Sequence, residues 1–461
     1  MKRLIYFLGL IFTLGFVALV AASHAGPVTA EDEPQSMPGT DVMLVDDPRP
    51  NPRYIPPPAG VLDGTPRRAD ALPINVVFNP TYDPANPPSN AGDLCAPVFE
   101  GDPDPNNPTM LLQPWPPDAV TAMNTAALIW STLLNGRQRV DVNACWYSTL
   151  DPPSPNGPST LGSARPVAWD KNFNNAPVDD TWYPVALANQ LANSDMDPGR
   201  PEIKAQFSAA FDWYFGIDGL VPVDPSDPSD PDSLRSDFLS VALHEIGHGL
   251  GFSGSAKVDD GTDPVECDGK NGHGCISNPP TAYDRFAFFG STSILDFIDL
   301  IDNDPQTLGT ALTVNQWFFN GPNANAANGN APARLFAPSS WQPGSSYVHL
   351  DEATFNPTTS ALMTPRLNRR EVLHHPGPVG LGVLADIGWS VNSRNFVYVD
   401  GSHTGDETGA KLEPFNTVRE GVAAVERGGN VYITAGSYDE AMTISRPMWL
   451  RTTGGTVTIG E

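Results

Sequence analysis

Two histidines and a glutamate in the stretch ALHEIGHGLGFSGS, residues 242–255, have the types and the spacing of a zinc site. On a helix, His244 and His248 are one turn apart and project from the same face, so that both imidazoles can bind one metal ion. Glu245 lies beside them and would face the water that such an ion binds. By residue frequencies, a chance H-E-x-x-H in a chain of this length is roughly a one-in-a-hundred event. We therefore interpret the pattern as a zinc site and not as two incidental histidines on a surface helix.

A catalytic zinc ion needs a third protein ligand, because three side chains hold it and its fourth position is kept for water. Gly251 can adopt a positive φ at the end of the helix and turn the chain sharply away. Gly254 follows, and it has no side chain that could bind a metal. The third ligand must therefore come from further along the chain. The candidates are His349, Asp263 and His273.

The pattern H-E-x-x-H-x-x-G resembles that of the metzincin clan of zinc peptidases, in which the turn at the glycine brings round the third ligand. Most members of the clan place a histidine where this chain has Gly254. Here His349 follows His248 by 349 − 248 = 101 residues, and Met363, in ALMTP, follows His349 by 363 − 349 = 14 residues. This order is similar to the leishmanolysin-like branch of the clan. There a large insertion precedes the third histidine, and a turn bearing methionine forms an apolar floor beneath the zinc.

The resemblance covers residues 72–391 and implies a secreted zinc endopeptidase. The metal ligands that it implies are His244, His248 and His349. Asp263 ranks next, because DDGTDPVEC is similar to the G-T-x-D element of aspartate-liganded zinc peptidases but is one residue short. His273 ranks third, since it is otherwise a solvated histidine in a loop between two cysteines. We expect the remaining histidines of this part of the chain, His374 and His375, at the surface or at the rim of the site.

The predicted function is hydrolysis of peptide bonds in protein or peptide substrates, with zinc as cofactor. Glu245 is the expected general base, which takes a proton from the attacking water and passes it to the leaving amine. An extended substrate would pair with the predicted strand Ile203–Phe215 by β-addition. Two other functions remain open at this point. One is a surface-binding or adhesive protein with a structural zinc site, and the other is a zinc hydrolase of non-peptide bonds.

The resemblance implies an α+β fold, with a mixed twisted sheet and an active-site helix that position these residues. Apolar residues at helical spacing predict that helix over Ser236–Gly251. Uninterrupted alternation over Ile203–Phe215 predicts one long half-buried strand or a tight strand pair. The other predicted elements are a strand over Ile74–Tyr82, a helix over Asp118–Asn135, a strand over Gln138–Ser148 and a helix over Gly377–Trp389. Together they define a predicted peptidase domain over residues 73–391.

The two flanking regions differ from that domain in composition. Residues 26–72 are rich in proline and acidic residues and lack periodicity, so we interpret them as a linker or pro-segment without a core of its own. Residues 392–461 contain short β runs separated by glycine and proline, with a helix expected near Phe415–Glu426. This segment resembles the start of a right-handed parallel β-helix. The β runs are Val431–Ile433, Met442–Ile444, Trp449–Arg451 and Val457–Ile459.

The N-terminus and the charge indicate where the protein acts. Residues 1–25 have a basic start, an apolar run and small residues before Ala25, which is typical of a signal peptide cleaved at that point. The 461 residues carry a formal charge of −27, which disfavours nucleic acid and anionic membranes as partners. Every N-x-S/T match has proline at x, so no usable glycosylation site is present. We expect a secreted, extracellular protein of bacterial source, monomeric and without a membrane anchor once the signal peptide is removed.

The four cysteines of the chain predict two disulfides in an exported protein. Three connectivities are possible, and proximity favours Cys267–Cys275, which leaves Cys95–Cys145.

Overall fold

The computed structural model of the chain describes residues 42–58, 61–62, 69–79, 95, 112–151, 159–222, 234–261, 267–297, 305–392 and, with short gaps, 396–460. The predicted signal peptide, the loop at residues 223–233 and Asp263 lie outside these residues. The α-helices are α1 Pro117–Leu133, α2 Val185–Ala192, α3 Phe238–Gly249, α4 Pro305–Leu312, α5 Pro322–Ala327, α6 Glu352–Phe355, α7 Gly377–Ile387 and α8 Val418–Ala424.

The strands are numbered in chain order. They are β1 Val42–Ile55, β2 Ile74–Phe78, β3 Leu134–Asn135, β4 Val140–Tyr147, β5 Thr160–Pro166, β6 Trp169–Asp170, β7 Tyr183–Pro184, β8 Ile203–Ser208, β9 Trp213–Tyr214, β10 Ser236–Asp237, β11 Lys257–Val258, β12 Gly274–Cys275, β13 Ala287–Phe289, β14 Thr292–Ser293, β15 Trp317–Phe319, β16 Ala333–Arg334, β17 Arg366–Leu373, β18 Ser390–Val391, β19 Phe396–Val399, β20 Asn430–Tyr438 and β21 Trp449–Ile459.

A six-stranded mixed sheet forms the frame on which the site is built. Its order is β17-β1-β5-β8-β4-β2. Strand β4 pairs parallel with β2 and with β8, whereas β5 pairs antiparallel with β8. Strand β1 pairs antiparallel with β5 and parallel with β17. The mixture of sheets and helices confirms the α+β class.

Helix α3 is the central element of the core, and every one of its residues is buried. It begins at Asp237, whose carboxylate accepts a hydrogen bond from the Ser240 backbone N–H at 2.8 Å and so satisfies one of the free donors at the helix start. The Trp130 indole of α1 donates to the Leu243 carbonyl at 2.9 Å, which fixes the two helices against each other. At the other end, a Cβ on Gly249 would lie 2.3 Å from Ile203, so the helix backbone lies directly on β8.

The predicted linker over residues 26–72 contains a strand of the main sheet, which corrects the boundary drawn at residue 73. Strand β1 places the side chains of Val42, Leu44 and Ile55 in the main hydrophobic core. The sequence hides this strand because three prolines and two acidic residues interrupt its alternation. The core domain therefore begins at or before Val42.

The long predicted strand Ile203–Phe215 is in fact two short strands in different sheets. Strand β8 lies between β4 and β5, while β9 pairs parallel with β10. The chain turns between them, and the Trp213 indole donates to the Ser208 carbonyl at 2.8 Å across the turn. Because both sides of β8 are already paired, a substrate cannot add to this part of the predicted strand.

The C-terminal segment has a small core of its own. Strands β19, β20 and β21 form a parallel three-stranded sheet, with α8 between the first two strands in sequence. The two predicted runs Trp449–Arg451 and Val457–Ile459 belong to one continuous strand, and Met442–Ile444 is not a strand. The separate core consists of Val397, Val399, Val418, Val425, Val431, Ile433 and Tyr438.

Both predicted disulfides are present, Cys95–Cys145 and Cys267–Cys275, and they are typical of an oxidising compartment. Among the described residues, no helix is both long and apolar enough to cross a membrane.

Candidate metal centre

The structure brings His244, His248 and His349 together, although 101 residues separate the last two along the chain. His244 and His248 project from the same face of α3, one turn apart, as the helical spacing requires. His349 comes from the segment that follows β16 and precedes α6. All three side chains are 0% exposed.

The Nε2 atoms of the three histidines converge on one point. The distances are 2.8 Å between His244 and His248, 3.1 Å between His244 and His349, and 3.2 Å between His248 and His349. Three nitrogens bound to a tetrahedral zinc at about 2.0–2.1 Å stand roughly 3.3 Å apart. The observed spacing is slightly contracted from that of three ligands on a single small cation.

The other ring nitrogen of each histidine is held by a backbone carbonyl. Nδ1 of His244 lies 2.5 Å from the Leu362 oxygen, Nδ1 of His248 lies 2.7 Å from the Phe252 oxygen, and Nδ1 of His349 lies 2.8 Å from the Ser345 oxygen. A carbonyl oxygen only accepts, so each Nδ1 carries the proton and each Nε2 presents a lone pair.

Three lone pairs directed at one buried point repel one another, because neutral imidazoles in this tautomer cannot hydrogen-bond through Nε2 to each other. Burial also lowers the pKa of His244 to about 4 and the pKa values of His248 and His349 well below the ordinary value. The imidazoles are therefore neutral at physiological pH and cannot relieve the repulsion by taking up a proton. A bound cation does relieve it, and this three-histidine group can hold a metal ion.

Met363 packs against α3 at Gly247, the residue before His248. A Cβ on Gly247 would lie 3.0 Å from the Met363 sulfur, which shows how closely the methionine packs on the helix. Its carbonyl accepts from the backbone N–H of Leu350, the neighbour of His349, at 2.8 Å. The short 3₁₀ turn Ala361–Met363 thus supports the helix and the His349 segment at once.

Gly251 and Gly254, which follow α3, are required to be glycine for different structural reasons. Gly251 has φ +113°, the left-handed region that favours glycine, and it carries the chain out of the helix as predicted. Gly254 has no room for a side chain, because a Cβ there would lie 2.4 Å from the Tyr347 ring and 2.7 Å from Oδ1 of Asp284. A histidine at position 254 would therefore not fit in this fold.

Glu245 is buried beside β5. Its side chain is 0% exposed, and its Oε1 would lie 2.9 Å from a Cβ placed on Gly162 of β5. The absence of a side chain at Gly162 leaves the space that the Glu245 carboxylate occupies.

The remaining candidate residues lie elsewhere. His273 is in the loop closed by the Cys267–Cys275 disulfide, with its Nδ1 2.9 Å from Asp268, and it is not part of the three-histidine group. Asp263 lies outside the described residues. The hydroxyl of Tyr347, two residues before His349 in sequence, donates to Asp284 at 2.8 Å.

His374 and His375 are buried, which corrects the surface or rim position expected for them. Nε2 of His374 lies 2.9 Å from Oδ2 of Asp237, the residue that caps α3. The sequence does not predict this support of α3. An aspartate directly before the first buried helical residue is the signal that marks the cap, but nothing local links it to a histidine 137 residues later.

Comparison with models of known protein families, with curated proteins and with solved structures finds no match to this chain.

Proposed function

We propose that this chain is a zinc-dependent endopeptidase. The observation that carries the proposal is the convergence of three buried, neutral imidazoles with the carboxylate of Glu245 next to the first of them in sequence. Three nitrogen ligands, with a carboxylate alongside, are the donor set of a catalytic zinc site. The resemblance to the metzincin clan agrees with this assignment through the order of His244, His248, His349 and Met363.

The chemistry divides between the metal and the protein. A zinc ion held by three imidazoles supplies Lewis acidity toward water and a carbonyl group. His244, His248 and His349 would hold it, and their Nδ1 hydrogen bonds to backbone carbonyls fix each ring in the tautomer that leaves Nε2 free to bind. Glu245 accepts the proton of the attacking water and delivers it to the leaving amine nitrogen.

A purely structural zinc site has no use for a base beside its ligands. The presence of Glu245 directly after His244 in sequence therefore favours the hydrolase over the adhesive protein with a structural zinc. The same metal and base could act on non-peptide bonds. We favour peptides because the order of His244, His248, His349 and Met363 resembles that of a clan of peptidases.

The test is Glu245→Gln, assayed against a library of fluorogenic peptides. Because the site is fully buried in the folded chain, the assay is run on the full chain before and after limited proteolysis. We expect zinc content to be unchanged, since Glu245 is not a ligand, and hydrolysis to fall about 10²–10⁴-fold, the usual loss when a general base is removed.

Glu202→Gln is the matched control, because Glu202 is also a buried glutamate (2% exposed) but contacts Asp141 and Asn189 away from the histidines. It should keep its activity. Equal turnover by Glu245→Gln and the native protein contradicts the proposed mechanism. Absence of peptide hydrolysis both before and after proteolysis, together with full zinc content, favours a structural site. Hydrolysis of a parallel set of ester substrates without hydrolysis of peptides identifies the non-peptide hydrolase.

A further inference from the structure

The C-terminal sheet has a second buried face, opposite to its own small core. In β20, Val431 and Ile433 belong to that core, so the side chain of Tyr432 between them points to the opposite face. Tyr432 is nevertheless only 5% exposed. On the neighbouring strand β21, the Arg451 guanidinium donates to Oγ1 of Thr359 in the core domain at 2.6 Å. The core domain therefore lies against this second face, and we call the contact between them the junction.

Arg451 brings a positive charge into the junction. It pairs in register with Tyr432, so the two side chains lie on the same face of the sheet. It is half-buried, and it donates to Oδ1 of Asn430 at 2.7 Å as well as to Thr359. Both partners are neutral, so these hydrogen bonds fix the guanidinium in place without cancelling its charge.

His375 contributes a buried hydrogen-bond donor from the core domain, just before α7. It is 6% exposed, and its Nδ1 accepts a hydrogen bond from the Gly377 backbone N–H at 2.9 Å. Burial, together with the charge of Arg451, lowers the pKa of His375 to about 4, so the ring is neutral at physiological pH. Nδ1 therefore presents the lone pair, and Nε2 carries the proton. Within the described part of the chain, this Nε2–H has no acceptor.

Tyr432 contributes a second buried donor from the C-terminal sheet. Its hydroxyl has no hydrogen-bond partner among the residues that the structure describes. Burial raises the pKa of Tyr432, against the opposing influence of Arg451, so the hydroxyl keeps its proton. The charge of Arg451 thus acts on both His375 and Tyr432, which places the three groups in one region. A buried donor without an acceptor costs free energy, and this region contains two of them beside a fixed positive charge.

A small anion is the ligand that satisfies these three groups together. It accepts hydrogen bonds from both donors and offsets the charge of Arg451, whereas a metal cation would meet only donors and a like charge. A water molecule could accept from the two donors, but it would leave the charge of Arg451 in place. The region also lies at the N-terminal end of α7, an 11-residue helix whose dipole favours negative charge at that end.

We propose that the junction is a binding site for a small monovalent anion, held by Nε2–H of His375, the hydroxyl of Tyr432 and the guanidinium of Arg451. The ligand is a hydrogen-bond acceptor with one negative charge, a chemistry that a halide ion and a carboxylate group share. The bound anion joins the C-terminal sheet to the core domain, because His375 belongs to the core domain and the other two residues belong to the sheet. This inference does not depend on the proposed function, since none of the candidate metal ligands contributes to the site.

The first measurement is thermal unfolding of the full chain at constant ionic strength, with sodium chloride or sodium acetate replacing the sodium salt of a bulky sulfonate. An anion that binds only the folded protein stabilises it, so the thermal midpoint should rise by about 2 °C or more and level off at high anion concentration. A rise with both anions identifies a general site for monovalent anions. A rise with acetate alone identifies a carboxylate site, and a rise with chloride alone identifies a halide site.

Tyr432→Phe distinguishes a bound anion from a bound water molecule. In the bulky sulfonate, loss of a buried hydroxyl without an acceptor should leave the midpoint unchanged or raise it. In the stabilising anion, this variant should need at least about tenfold more anion for half of the stabilisation, because one hydrogen bond to a charged ligand is lost. Arg451→Gln, which removes the positive charge, should have at least the same effect.

Tyr438→Phe is the matched control from the same strand, because the Tyr438 hydroxyl donates to the Thr434 carbonyl at 2.8 Å. It should lower the midpoint by the same amount in all three salts and leave the half-effect concentration of the anion unchanged. Identical midpoints of the native protein in the three salts would overturn the proposal. Equal half-effect concentrations in the native protein and in Tyr432→Phe would overturn it as well, and would assign the two donors to water.

Discussion

The candidate metal centre and the C-terminal sheet are built in opposite ways. The three-histidine group joins residues that are far apart in the chain, His248 and His349 being 101 residues apart, inside a core that extends from Val42 to Trp389. The C-terminal sheet joins strands that follow one another, β19 to β20 and β20 to β21, around a separate small core. A site made from distant segments depends on the whole domain, whereas a sheet of successive strands depends mainly on itself.

The largest effect is expected from removal of His349, the candidate ligand that lies furthest from the other two in the chain. His349→Ala should abolish zinc binding as His248→Ala does, because a site with two imidazoles loses much of the binding energy of three. We expect the metal content, measured by mass spectrometry on protein that circular dichroism shows to be folded, to fall from about one ion per chain to nearly none.

His273→Ala and His403→Ala, which change the disulfide loop and the C-terminal segment, are the controls and should keep their zinc. Full zinc occupancy in folded His349→Ala would remove His349 from the site. Loss of zinc on substitution of Asp263 alone would move the ligand set to the aspartate-liganded class.

A smaller effect is expected at Gly254, which tests how tightly the distant segments pack. A Cβ there would meet the buried Tyr347 ring and Asp284, so Gly254→Ala should lower the free energy of unfolding by about 1–3 kcal/mol. A Cβ on Gly199 would meet no atom within 4 Å beyond its chain neighbours, so Gly199→Ala should change stability little. Urea denaturation of the two variants gives the difference. Equal urea midpoints would mean that the structure around position 254 accommodates the added methyl group, which would contradict the expected loss of stability.

The smallest effect on the metal centre is expected from loss of the C-terminal sheet. Deletion of residues 396–461 removes the separate core and the hydrogen bond from Arg451 to Thr359, but it retains Asn392, whose N–H donates to the Leu133 carbonyl. Zinc content should stay the same, and the thermal midpoint of the remaining domain should shift by only a few degrees. A truncated chain that does not fold or does not bind zinc would show that the two regions are one cooperative unit.

The sequence predicts the parts of this molecule whose signal is local. The 3.6-residue period around His244 and His248 indicates both the helix and the shared face, and the cysteine spacing indicates both disulfides. The turn at Gly251 follows from the conformational freedom of glycine. These features require no knowledge of distant segments.

The parts that the sequence does not predict depend on contacts between residues that are far apart in the chain. His349 is indicated only through a family resemblance, because nothing near it in sequence shows which residues it meets. The burial of His374 depends on Asp237, 137 residues away. Strand β1 escapes prediction because its prolines imitate a linker, while its partners β5 and β17 lie far along the chain.

The pairing of β1 with β17 also sets the order in which the main sheet can form during synthesis of the chain. Asp46 meets Arg369 across 323 residues, so the first described strand must wait until most of the chain has been synthesised before its side of the sheet can form. A contact of that range makes closure slow and late, because the entropy of bringing the ends together opposes it until the intervening domain has folded. Biosynthesis itself therefore delays completion of the main sheet until residues as late as Arg369 have been made.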